Sequence, residues 1–302
     1  MFKEPLYVRR SASEKVNITF EFIRENFKQF FRNILIASSP LCVMFAFLTL
    51  ANEINDNVAD TSLSWIGFMT LENDTYEKLF LLFFYLGFMV VLPMSLTLIQ
   101  THYERKDGLS NLKFKDIRMT YFINLAKWFL ISLPTVVVLL IVYYGFRGWT
   151  SAGLFFTILI SMIVFVIFEM APPAFILGKK SYSESLNLSI TYGIGRFWNT
   201  LLLTVYLVLL AMLVFLWEIG LIAFITDFKI QLLGSDPGNN LLAYIVYWII
   251  LLFLLFALTA SIALGLSALG VGIAFQYGSL EDRTHLLSLK EKVKTFESLK
   301  DE

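Results

Sequence analysis

Charge is scarce in this chain. Charged side chains make up 16% of its 302 residues, against about 25% in a typical soluble domain, which excludes an ordinary water-soluble fold. The formal balance is zero, 24 Lys and Arg against 24 Asp and Glu, so bulk electrostatics do not point to nucleic acid as a partner. Cysteine is nearly absent. The single Cys42 leaves no internal disulfide and no C-x-x-C metal or redox pair. The two histidines, His102 and His285, form no H-E-x-x-H, and neither a Walker loop nor a G-x-S-x-G elbow occurs. Gly265, Ser267 and Leu269 give half an elbow only. No cofactor and no enzymatic activity are expected. What is abundant is apolar: 57% hydrophobic and 16% aromatic residues, the composition of an all-α integral membrane protein.

Six apolar runs reach the roughly 20 residues that cross a hydrocarbon core: Asn33 to Ala51, Leu79 to Ile99, Trp128 to Phe146, Ala152 to Met170, Asn199 to Ile225 and Leu241 to Phe275. The first follows about thirty polar residues without a small-residue cleavage site, and reads as a retained span rather than a signal peptide. One transmembrane domain is expected over residues 1–302, with an N-terminal segment (1–32), six spans (33–275) and an amphipathic tail (276–302). All but Lys78, Arg147 and Lys229 of the 24 basic residues fall before the first span, after the second, after the fourth, or in the tail. The positive-inside rule then puts both termini in the cytoplasm.

Proline and glycine punctuate the spans. Pro40, Pro93 and Pro134 lie within runs and predict kinks, while Pro172 and Pro173 mark the end of the fourth span. The sixth run, 35 residues long, would be about 52 Å as one helix, so its end either protrudes or breaks near Gly265, Gly270 and Gly272. Ser261, Gly265, Ala268 and Gly272 form one narrow seam of small residues, expected to pack against another helix.

The chain repeats at an offset of 170 residues. Ser11, Ser13, Glu14, Asn17, Ile18, Thr19, Phe22 and Phe27 align with Ser181, Ser183, Glu184, Asn187, Leu188, Ser189, Tyr192 and Phe197. Lys115, Asp116, Ile117, Met119, Thr120, Lys127 and Trp128 read as a third copy. Each precedes a span. The pattern predicts three amphipathic helices in the cytoplasmic interface, each followed by a transmembrane hairpin, with Arg196 or Lys127 reaching headgroups and Phe197 or Trp128 anchoring the bend. Ser11 or Ser13 with Glu14, and Ser181 or Ser183 with Glu184, supply N-caps.

The run Pro173, Ile176, Ser183, Ser185, Leu186, Ser189, Arg196 and Phe197 resembles the stretch after the fourth span in a group of bacterial six-span proteins. That group includes the membrane domain attached to some glycerophosphodiester phosphodiesterases and the YciC-like inner-membrane proteins. Ser185 departs from the Ala common there. No soluble phosphodiesterase domain is expected to follow, so that activity is not carried over. The resemblance implies a bacterial inner-membrane location and a six-helix fold.

Candidate functional residues are few. Glu169 and Glu218 are carboxylates within apolar sequence, expensive in a bilayer and therefore candidates for proton or cation handling. Glu169, at the end of its span, could instead reach water or pair with Lys179, and Glu218 could pack beside Trp217. His102, with Tyr103, Glu104 and Arg105, and His285, with Tyr277, Glu281, Asp282 and Arg283, sit at matching span exits. They are interface anchors or a metal or headgroup site. Sequons at Asn17, Asn73 and Asn187 are chance matches in a bacterial protein. The tail stripe Leu286, Leu289, Val293 and Phe296 offers a docking face for a partner or the bilayer.

The function expected first is a non-enzymatic scaffold, regulatory or assembly component of an envelope complex, with the lipid bilayer and a membrane or cytoplasmic protein as partners. A transporter or permease subunit for a small solute, lipid or ion is the alternative. A lipid-headgroup enzyme using His102, Glu104 and His285 lacks a nameable nucleophile and base. Oligomeric state is left open by the sequence.

Overall fold

Two serines start two matching helices. Ser11 caps α1 (Ala12–Glu25) with a complete capping box: its hydroxyl accepts from the Glu14 amide at 3.4 Å while the Glu14 carboxylate accepts from the Ser11 amide at 2.6 Å. Ser181 caps α7 (Tyr182–Gly195), accepting from the Glu184 amide at 3.3 Å. Both helices have 14 residues, and both stop where the cap amide, of Asn26 or Arg196, bonds back to residue 22 or 192. The offset is 170 at each end.

In this computed structural model the described residues are 4–58, 73–146, 151–209, 216, 220 and 241–285. They are all-helical apart from short connections, with no strand among them. The remaining helices are α2 (Phe27–Val58), α3 (Asn73–Glu104), α4 (Phe114–Phe146), α5 (Ser151–Phe168), α6 (Ala171–Ile176), α8 (Phe197–Leu209) and α9 (Leu241–His285). Three stretches are long and apolar enough to cross a membrane: Phe114–Phe146, Phe155–Ile176 and Ile249–Arg283. Large apolar side chains along α4, among them Ile141 and Phe129, are exposed, as lipid-facing residues would be and water-facing ones would not.

The helix boundaries bear on several of the sequence expectations. Pro40, Pro93 and Pro134 do lie inside helices, and α2, α3 and α4 run through them unbroken. Pro172 and Pro173 open α6, where a missing amide costs nothing. The sixth run is a single helix of 45 residues, so Gly265, Gly270 and Gly272 do not break it. Glycine weakens a helix by about 1 kcal/mol, and close packing offsets that: a Cβ on Gly270 would meet Ser95 Cβ at 2.8 Å, and one on Gly272 would overlap Leu207. The third repeat copy also lacks a break. α4 continues through Lys127 and Trp128, with nothing there like the Asn26 side chain, which turns back onto the Phe22 carbonyl at 2.9 Å to close α1.

The chain divides into two compact units. The first comprises residues 1–33, 92–208 and 267–302. Its core gathers Phe22, Phe30 and Phe275, all inaccessible, with Phe22 edge-on to both rings at 6.2 and 6.1 Å. The second comprises residues 34–91 and 209–266. There Ala46 packs on Tyr247, Leu251 and Leu255, flanked by Leu252 and Phe256.

Candidate functional site

One group of polar residues in the first unit surrounds the N-terminal segment that leads into α1. Its backbone is stitched to the end of α9. The Arg10 amide donates to Ser279 Oγ at 3.0 Å, and the Arg9 amide donates to Asp282 Oδ2 at 3.2 Å. Gly278 makes this approach possible, because a Cβ there would collide with the Leu6 carbonyl. Arg10 folds back on its own segment, donating to the carbonyls of Pro5 at 2.6 Å and Leu6 at 3.3 Å. Its guanidinium lies 5.5 Å over the Phe275 ring. The Tyr103 hydroxyl of α3 donates to the Glu4 carbonyl at 2.7 Å, and burial raises the pKa of that phenol.

A second cluster fixes the turn before α7. Glu281 of α9 accepts from Lys180 at 3.0 Å and from the Tyr192 hydroxyl at 3.0 Å, and Lys180 also pairs with Glu184 at 3.3 Å. Burial pulls the Lys180 pKa down, but the two carboxylates outweigh it and leave it raised. Lys179, in the left-handed region at φ 51°, pairs with Glu104 at 3.0 Å. Between these segments lies a shallow cleft of about 360 Å³ whose lining includes Tyr7, Gln100, Tyr103 and Lys179.

The residues singled out from sequence fall differently from one another. His102 is buried, its ring 5.2 Å from both Phe22 and Tyr103, edge-on to each. Glu169 neither reaches water nor meets Lys179. It is 5% exposed, with Oε2 accepting from Thr204 at 2.8 Å. Lys179 is taken by Glu104, which removes the expected pair. Trp128 is 5% exposed, so it packs inside the protein instead of anchoring at a lipid surface, and Lys127 sits 5.7 Å over the Phe175 ring. Arg196 is exposed at the end of α7, Phe197 half-buried beside it. In the seam, Ser261, Gly265 and Ala268 are half-buried and Gly272 is buried, while the most buried small residues are the neighbouring Ala263, Ser267 and Ala274. His285 is the last residue of α9. Glu218 and the tail stripe from Leu286 lie outside the described residues. Among those described, no three His, Cys, Asp or Glu side chains converge as a metal site requires.

Two buried charged residues, Arg10 and Lys15, escaped sequence reading. Lys15 is 3% exposed, on the buried face of α1 with Ile18, Thr19 and Phe22. Its signal was positional: Lys15, Thr19 and Phe22 stand at i, i+4 and i+7, the row that faces a core.

Compared with known proteins, the chain matches no family model, no curated protein and no solved structure.

Proposed function

We propose that this chain is a multi-pass protein of a bacterial inner membrane that scaffolds, regulates or assists assembly of an envelope complex, without catalysis of its own. In this reading six spans cross the bilayer, both termini are cytoplasmic, and α1, α7 and the first half of α4 form three related units, each leading into a hairpin. The observation that carries it is how the reactive side chains are used. His102 packs between rings, Glu169 is held by Thr204, and Glu281 is held by Lys180 and Tyr192. Each contributes to holding helices together. The distribution of Lys and Arg supports the orientation.

Purification in mild detergent tests this reading. A reproducible stoichiometric protein partner is expected; repeated recovery of the chain alone would contradict it.

A permease reading has one supporting feature. Glu169 Oε1 is buried without a hydrogen-bond partner, and a half-satisfied carboxylate within an apolar helix suits a cation or proton path. Flux through proteoliposomes that Glu169→Gln abolishes would favour transport, and flux unchanged by that substitution would remove the carboxylate from it.

A further inference from the structure

One chain of hydrogen bonds has its direction set at its buried end. Thr97 of α3 gives its hydroxyl hydrogen to the Pro93 carbonyl at 2.7 Å, so its oxygen can only accept from Asn124 of α4, whose Nδ2 stands 3.0 Å away. The same Nδ2 donates to Gln100 Oε1 at 2.9 Å. That turns the Gln100 amide nitrogen outward, where it donates to Glu104 Oε1 at 3.1 Å. Glu104 is therefore held as an acceptor by Gln100, and Gln100 is aimed by Asn124 and Thr97, both buried. Glu104 is also the last residue of α3, where the helix dipole disfavours a carboxylate and favours a cation. Lys179 supplies the cation at 3.0 Å, from a left-handed backbone that is uncommon for a lysine. Both side chains are well exposed, 68% for Lys179 and 50% for Glu104, so little free energy holds this pair closed.

The pair stands at the cleft of about 360 Å³, a volume in the range of small-molecule sites. Among the described residues that line it, Glu104 and Lys179 carry the charge, one of each sign; Tyr7 and Tyr103 lie beside them, and Leu6 and Leu177 add an apolar wall. We propose that this cleft binds a zwitterion that carries a primary ammonium and a phosphate oxyanion. The ligand ammonium takes the place of the Lys179 ammonium against Glu104, an acceptor already oriented for an N–H donor, with the two tyrosine rings favouring a cation in the cleft. Lys179, released, turns to the oxyanion, which its compact point charge suits. A ligand of one sign would leave Glu104 or Lys179 without a partner, whereas a zwitterion matches both. The chemistry is that of an ethanolamine phosphate, borne by a lipid headgroup or by a soluble aminoalkyl phosphate. In the six-span reading Gln100 and Glu104 directly follow the second span, at headgroup depth, so the lipid source rests on that reading and the zwitterion chemistry does not.

The test uses the full-length protein in uncharged detergent, titrated calorimetrically with O-phosphoethanolamine and, separately, with dihexanoyl phosphatidylethanolamine. Dihexanoyl phosphatidylcholine, whose cation has no N–H to donate, and dihexanoyl phosphatidylglycerol, which has no cation, are the controls of equal chain length. Saturable binding of at least one ethanolamine probe is expected, with both control lipids weaker than the ethanolamine lipid wherever that lipid binds. Saturation by O-phosphoethanolamine marks a site for a soluble zwitterion, and saturation by the ethanolamine lipid alone marks a headgroup site. Glu104→Gln should weaken binding about tenfold or more, as loss of a charged hydrogen bond does, and Lys179→Gln about threefold. Both positions are exposed, so neither substitution endangers folding. Lys28→Gln, at an exposed position of α2, should leave binding unchanged. No saturable binding of either ethanolamine probe, equal binding of the three lipids, or binding that Glu104→Gln leaves intact would overturn the proposal.

Discussion

α1 and α7 begin with the same cap, have the same length, end at equivalent residues and turn the same positions inward: 15 and 185, 19 and 189, 22 and 192. What fills those positions differs. α7 is held by polar bonds to neighbours, Ser189 Oγ donating to the Ile167 carbonyl at 2.8 Å and Tyr192 to Glu281. It also comes very close to α5, since a Cβ on Gly193 would stand 2.6 Å from Ile167 Cα. α1 has Ile23 at that place. It is held instead by Phe22, ringed by Phe30, His102 and Phe275, and it buries a cation. Equal backbone frames therefore carry unequal tasks. α7 is fastened with matched polar groups, while α1 combines an aromatic anchor with a buried cation.

Breaking the α1 anchor should have the largest effect. Phe22→Ala removes a fully buried ring with three ring neighbours and should cost about 3–5 kcal/mol, measured as a fall in the unfolding midpoint in detergent. The equivalent Tyr192→Ala change would confound packing with hydrogen bonding, so it is the weaker comparison.

Making α1 resemble α7 at its one charged core position should act in the opposite direction. A lysine whose folded pKa is lowered penalises the fold fully when protonated in both states. The penalty is present below about pH 8 and disappears as pH rises through the ordinary lysine range near 10.4. Stability of the wild type should therefore increase between about pH 8 and pH 10.5. Lys15→Ser should raise stability at pH 7 by up to about 3 kcal/mol and flatten that rise. Thermal unfolding across this pH range checks both.

Making α7 resemble α1 should have smaller effects. Gly193→Ala forces the α7 and α5 backbones apart and should cost about 1–3 kcal/mol. Tyr192→Phe leaves the Glu281 carboxylate with Lys180 but without the phenol, and should cost about 1–2 kcal/mol. Both are read from unfolding midpoints, and a Tyr192→Phe loss as large as that of Phe22→Ala would contradict the division of tasks.

Much of this frame was legible in the sequence because it is local. Ser11 with Glu14 and Ser181 with Glu184 announce two helix starts, the 170-residue offset pairs them, and Pro172 and Pro173 mark a helix boundary. The rest depends on what the chain meets after folding. Trp128 looks like an interface anchor because it follows Lys127 at a span entrance, but nothing in its neighbours reveals that it turns inward. Glu169 finds Thr204, 35 residues away, instead of the nearby Lys179. The glycines of α9 look like a break until Ser95 and Leu207 are seen against them. Lys15 reads as a solvated charge until Thr19 and Phe22 fix which face of α1 is buried.

The most direct test of the account is which side of the membrane the paired helices occupy. Cys42 is the only cysteine and is buried, so a Cys42→Ser background allows single cysteines at the equivalent exposed positions Glu21 of α1 and Thr191 of α7. With a membrane-impermeant maleimide, Glu21→Cys and Thr191→Cys should both label in inside-out vesicles and both stay protected in intact spheroplasts. Labelling of either one from the outside would contradict the account.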